Sequence, residues 1–154
     1  MESTDDLNPA LTHNYIINIG GSNPVSYFAR SVTLPGWDVA AIDTPFNTHR
    51  MAMPSNSRTR DVLVVEMILS EKLSNYKEIR KWGKTALRGA GDITECMKDV
   101  TVVMLDSNKK PIDDIKYNGC YPCTISNLTL ESGIVDTMPQ TFTVTFMYEE
   151  EDWE

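Results

Sequence analysis

Residues 141–148, Thr-Phe-Thr-Val-Thr-Phe-Met-Tyr, alternate along their whole length: Phe142, Val144, Phe146 and Tyr148 against Thr143, Thr145 and Met147. Only an extended chain, whose side chains point to opposite faces in turn, gathers the aromatic and branched residues of that run on one surface. A strand apolar on one side needs paired neighbours and a second layer over that side, so this segment commits the chain to a packed β-architecture.

Other segments carry the same pattern. Tyr15–Ile19 reads as a strand, Gly20-Gly-Ser-Asn-Pro24 as turn chemistry, and Val25–Leu34 as the partner strand, stopped by Pro35-Gly36. Val39–Ile42 is a short candidate strand. Asp61–Leu69 is the most apolar strand and is expected at the centre of the sheet. Val100–Leu105, a turn at Asp106–Lys109, Ile112–Tyr117 and Thr124–Leu130 complete the β-segments. A single stretch has helical periodicity. At about 100° per residue, Leu73, Tyr76, Ile79, Trp82 and Leu87 share one half of a cylinder, and Lys77, Lys81, Lys84 and Arg88 share the other. Ser70 is positioned to cap this helix with Glu71 in its first turn. Its end falls at Trp82 or Arg88, depending on whether Gly83 stops it. The expected fold is mainly β with one α-helix: an antiparallel β-sandwich or partly open barrel with the helix packed on it. Residues 1–13 read as a flexible N-terminal arm and residues 14–154 as a single domain.

Between Thr44 and Arg60 no periodicity is visible, and the segment reads as a long loop. Connections of that length without a pattern are commonly functional. Met51 and Met53 suit an adaptable contact surface. With Pro45, Phe46, His49, Arg50, Arg58 and Arg60 they form a candidate interface.

Charge and composition remove several functions. The chain has 154 residues, enough for one domain with a real core. Its net charge is −8, the opposite of what gripping phosphates requires, so specific DNA binding is not expected. No apolar run approaches the ~20 residues of a membrane-spanning helix. The opening residues lack the basic and apolar regions of a secretory signal. Three cysteines without an export signal favour reduced thiols.

Catalytic candidates do not assemble. Cys120-Tyr-Pro-Cys123 has the spacing of a redox dithiol, but strands flank it where such a motif needs a helix N-terminus. Cys96, His13 and His49 are too scattered to complete a zinc site. Neither histidine lies in a nucleophile motif. Asp113 and Asp114, adjacent on a strand, point to opposite faces. Gly89-Ala-Gly91 lacks the lysine and spacing of a phosphate loop. No catalytic residue, metal or cofactor is therefore expected.

The order of parts resembles the tail tube proteins of contractile-tailed bacteriophages, over roughly residues 14–153. The matching features are Leu34-Pro35-Gly36, the helix bearing Trp82, Val102-Val-Met-Leu-Asp106, Gly119-x-x-Pro122, and the Phe-containing last strand before Trp153. One segment departs from the family: Met53-Pro-Ser-Asn-Ser-Arg-Thr-Arg60 stands where a basic, glycine-containing stretch is usual. The resemblance implies a structural subunit, not an enzyme, forming stacked hexameric rings whose subunits continue one another's sheets. Its implied partners are copies of itself, the tail sheath protein, and baseplate and terminator proteins. DNA would pass through an acidic lumen without specific binding. The implied location is the virion, after assembly in the host bacterial cytoplasm. Alternatives are a baseplate or tube-initiator adaptor ring, a secretion-system tube protein and, from another class, a small thiol oxidoreductase using Cys120 and Cys123. The basic stripe Lys77, Lys81, Lys84 and Arg88 is expected to face the sheath or a neighbouring subunit.

Overall fold

The computed structural model describes residues 13–20, 29–87, 96–133 and 139–153. These hold nine strands, β1 (Tyr15–Ile19), β2 (Ala29–Thr33), β3 (Trp37–Phe46), β4 (His49–Arg60), β5 (Leu63–Ile68), β6 (Lys98–Leu105), β7 (Pro111–Ile125), β8 (Thr141–Met147) and β9 (Glu150–Trp153), and one helix, α1 (Ser74–Leu87). Among the described residues no helix is long and apolar enough to cross a membrane.

Seven strands make one antiparallel sheet in the order β1-β6-β7-β8-β5-β2, with β9 paired to the first half of β7. Alternation places one face inside. Ile17 and Ile19 of β1, Val100 and Val102 of β6, Phe142, Val144 and Phe146 of β8, and Leu63, Val65 and Met67 of β5 are all buried. The sheet curls, and at its two ends the Tyr15 hydroxyl of β1 donates to the Arg30 carbonyl of β2 at 2.6 Å. Among the described residues it does not close into a barrel. Helix α1 packs on β7 and covers the inner face. Tyr76 meets Phe142 edge-on at 5.2 Å, and Trp82 lies 5.4 Å from Phe146. The expected mainly β architecture with one packed helix is thus observed.

Local readings differ in five places. First, β1 pairs with β6 and β2 with β5, so these two strands are not each other's partners. The expected turn, with Val25–Phe28, lies outside the described residues. Second, the helix starts at Ser74, not directly after Ser70. Leu73 adopts φ +57°, the Ser70 hydroxyl accepts from the Ser74 amide at 2.9 Å, and buried Asn75 donates to the Ile68 carbonyl at 2.7 Å. This network holds one extra turn between β5 and α1, so Glu71 precedes the helix. Gly83 lies inside the helix and does not end it.

Third, Gly119–Pro122 is not a turn between strands. Strand β7 runs through it, bent where Gly119 takes φ +67° and where the register shifts between Pro122 and Thr124. Residues 126–131 then carry no strand. Fourth, the acidic tail is strand β9, with Trp153 opposite Ile115 and Glu150 opposite Asn118. Fifth, the segment read as a loop over residues 44–60 is extended and paired. Strands β3 and β4 form a separate two-stranded sheet closed by Asn47-Thr48, with Asn47 at φ +53°. The arm over residues 1–12 and Gly89-Ala-Gly91 lie outside the described residues.

Candidate assembly interface

The β3–β4 hairpin is the feature that the core does not explain. Its strands pair with each other and with no other strand among the described residues. Directly opposed residues of an antiparallel pair share a face, as do residues two apart. Ile42 is opposite Met53 and Thr44 opposite Met51, so Ile42, Met51 and Met53 form one apolar strip. They are 54%, 58% and 54% exposed. A lone two-stranded hairpin is marginal in water, and a continuous apolar strip on it is a surface suited to cover by another chain.

The base of the hairpin is fixed to the body. The Asp61 amide donates to the Gly36 carbonyl at 3.1 Å. Arg58 lies 5.6 Å above the Trp37 ring and 3.9 Å from the Glu151 carboxylate, and the Arg60 guanidinium donates to the Glu149 carbonyl. Two of the arginines expected at an interface therefore brace the hairpin, Arg58 against β9 and Arg60 against the residue just before it. The remaining candidates lie further out: Pro45 pairs with Arg50 and Phe46 with His49 in the register, and His49, Arg50, Met51 and Met53 are exposed. Between Val39 and Ala41 the register slips, and Ser55-Asn56-Ser57 bulges, with the Ser55 hydroxyl donating to the Ser57 carbonyl at 3.1 Å.

Sequence reading missed Trp37, Val39 and Ile42 as interface candidates. The available signal was three large apolar residues in a six-residue run, Trp37-Asp-Val-Ala-Ala-Ile42, that ends up largely exposed.

On α1, Lys77, Lys81 and Lys84 are exposed, while Arg88 lies outside the described residues. Between α1 and the second half of β7 runs an open groove of about 510 Å³. The helix approaches closely there: a methyl group at Gly83 would lie 3.8 Å from Pro122.

The thiols do not form a pair. Cys120 is fully buried with its Sγ donating to the Tyr117 carbonyl at 3.2 Å, whereas Cys123 is exposed and donates to the Thr145 carbonyl at 3.3 Å. Burial pushes the Cys120 thiol up to about 12, so it carries no thiolate near neutral pH. A redox dithiol needs the opposite on both counts. Asp113 and Asp114 are likewise no acid–base couple, since Asp114 sits 3.8 Å from Lys116 in an exposed ion pair. Among the described residues no three His, Cys, Asp or Glu side chains converge as a metal site.

No family model and no curated protein matches the chain. Its fold matches solved structures over nearly its full length. A chain in the sheath/tube terminator of an extracellular contractile injection system, in the extended state, superposes with a TM-score of 0.72 and 11% identity, covering 96% of this chain and 97% of that one. A chain in the anti-feeding prophage baseplate gives 0.70 and 12%, covering 94% and 95%. Hcp1 from Flavobacterium johnsoniae gives 0.53 and 12%, covering 90% and 93%. The resemblance to tube proteins holds at the level of the fold.

Proposed function

We propose that this chain is a structural ring subunit of the inner tube of a contractile, tail-like particle. Six copies would form a ring, and rings would stack into a hollow tube inside a sheath. The observation that carries this reading is the β3–β4 hairpin, fixed at its base and presenting Ile42, Met51 and Met53 to solvent. A neighbouring copy supplies the missing cover, and closure into a ring leaves no subunit with a bare hairpin. Among the described residues, strands β1 and β2 lie at the ends of the strand order, the positions from which a sheet can continue into a neighbouring copy. The near-complete coverage of contractile-system chains supports the same reading.

Net charge of −8 suits a conduit through which DNA moves without adhering. Lys77, Lys81, Lys84 and Arg88 are assigned to the sheath or to a neighbouring subunit. The baseplate or terminator adaptor is the second reading, favoured by the departure over Met53–Arg60 and by the likeness to chains of baseplate and terminator assemblies. A phage tail and a secretion tube share this chemistry and differ in cargo. The test is the mass of the purified chain in solution as concentration rises. A species six times the 17.4 kDa chain mass supports the ring, and a strict monomer or dimer at every concentration contradicts it.

A further inference from the structure

The groove between α1 and β7 has an apolar floor and a basic rim. Tyr76, Tyr121 and Ile125 are part-buried and Pro122 is buried, while Arg80 and Lys84 stand exposed at its edge. Arg80 lies 5.7 Å above the Tyr76 ring and donates to its hydroxyl at 3.3 Å. Among the described residues neither Arg80 nor Lys84 is salt-bridged to a carboxylate. A cationic rim over an aromatic floor, on a protein of net charge −8, calls for an occupant that carries both carboxylates and apolar side chains.

The chain itself has such a segment ahead of β1. Residues 2–11, Glu-Ser-Thr-Asp-Asp-Leu-Asn-Pro-Ala-Leu, carry three carboxylates and no lysine or arginine, followed by Leu7, Pro9 and Leu11. We propose that residues 2–11 of one copy dock in the α1–β7 groove of another, with Glu2, Asp5 and Asp6 toward Arg80 and Lys84 and the leucines on the Tyr76–Ile125 floor.

Chain geometry selects a second copy over the same one. Asn14 is pinned beside the β6–β7 turn: its carbonyl accepts from the Leu105 amide at 3.0 Å and its side-chain amide donates to the Asp106 carbonyl at 3.2 Å. The groove is at the far end of β7. From Pro111 to Tyr121 is ten residues of strand, roughly 33 Å along the strand. Leu11 lies three residues from Asn14, a reach of roughly 10 Å, and Leu7 seven residues, roughly 24 Å at full extension. Both reaches are shorter than that path along β7, which favours the groove of another copy over that of the same chain. A donor at one end of the subunit and an acceptor at the other make a head-to-tail contact, the kind that builds rings or stacks. This deepens the ring reading and rests on it for the arrangement of copies.

Cys123 lines the groove and is exposed, which supplies a native reporter thiol. An Ala10→Cys variant of the full chain is mildly oxidised and run without reductant. The expected result is intermolecular disulfides mapped to residues 10 and 123. They should vanish with Cys123→Ser and fall roughly tenfold with Arg80→Glu plus Lys84→Glu, as attractive charge contacts become repulsive. Absence of the adduct, an adduct indifferent to the charge reversal, or an intramolecular 10–123 disulfide overturns the proposal. The unoxidised sample is weighed in parallel, so rings without the adduct refute the docked segment and leave the ring reading standing.

Discussion

Replacing Ile42, Met51 and Met53 with threonine should separate assembly from folding. Threonine has a β-branched shape that an extended pair accepts, and removes the apolar atoms that another copy would cover. All three side chains are a little over half exposed in the single subunit, so each replacement costs the isolated fold at most about 1 kcal/mol. Fully burying one such side chain is worth ~1.5–3 kcal/mol. The half still exposed therefore leaves about 1 kcal/mol per residue to be gained at a contact, or about 3 kcal/mol for the strip. That corresponds to a weakening of subunit association by about two orders of magnitude. Sedimentation velocity across a concentration series reads the association, and thermal unfolding followed by circular dichroism reads the fold. Unchanged assembly with all three threonines in place would refute the hairpin as the principal contact. A large loss of thermal stability would instead show that the strip packs on its own subunit.

Four further outcomes follow from particular contacts. Phe146→Ala removes a fully buried ring packed on Trp82 and should destabilise the subunit by about 3–5 kcal/mol in denaturant titration. Gly83→Ala should stabilise it by roughly 0.5–1 kcal/mol, because the added methyl meets Pro122 at an ordinary 3.8 Å and the helix interior loses a glycine. Gly119→Ala should cost about 1–2 kcal/mol, since φ is +67° and the methyl would meet Glu149 at 3.0 Å. Cys120 is raised to about 12 by burial, and the hydroxyls of Tyr117, Tyr148 and Tyr15 are raised chiefly by burial as well. The unfolded chain ionises these groups first, so their contribution to stability is intact below about pH 9 and is lost progressively as pH rises toward 12, measurable as a falling unfolding midpoint.

The strands that face the core were legible because burial on one side imposes period 2, as in Phe142-Thr-Val-Thr-Phe146. The helix was legible because Tyr76, Ile79 and Trp82 must all face the same inner surface. The β3–β4 hairpin was not, because neither of its faces is buried in the subunit. Met51, Met53 and Arg58 therefore read as part of a loop while their backbones are paired, with Ser55-Asn56-Ser57 bulging between them. Strand β9 was hidden for a similar reason: Glu150, Glu151 and Asp152 read as a solvated tail, and it is the backbone of β7 with Arg58 that orders them. At Gly119 the glycine signalled a change of direction. Only the long-range pairing of β7 with β8 makes that change a bend within one strand instead of a turn between two. Of the candidate interface, the methionines were proposed from their residue type, and the structure places them on one exposed face of a paired strand. The bracing role of Arg58 and Arg60 depends on contacts with Glu151 and Glu149, about 90 positions away, and no local pattern carries it.

Negative-stain electron microscopy of the concentrated, purified chain tests the tube most directly. Hollow tubes or stacked rings with six-fold end views are the expected result. Particles of a single subunit alone, at concentrations where the threonine variant and the parent chain sediment identically, would contradict it.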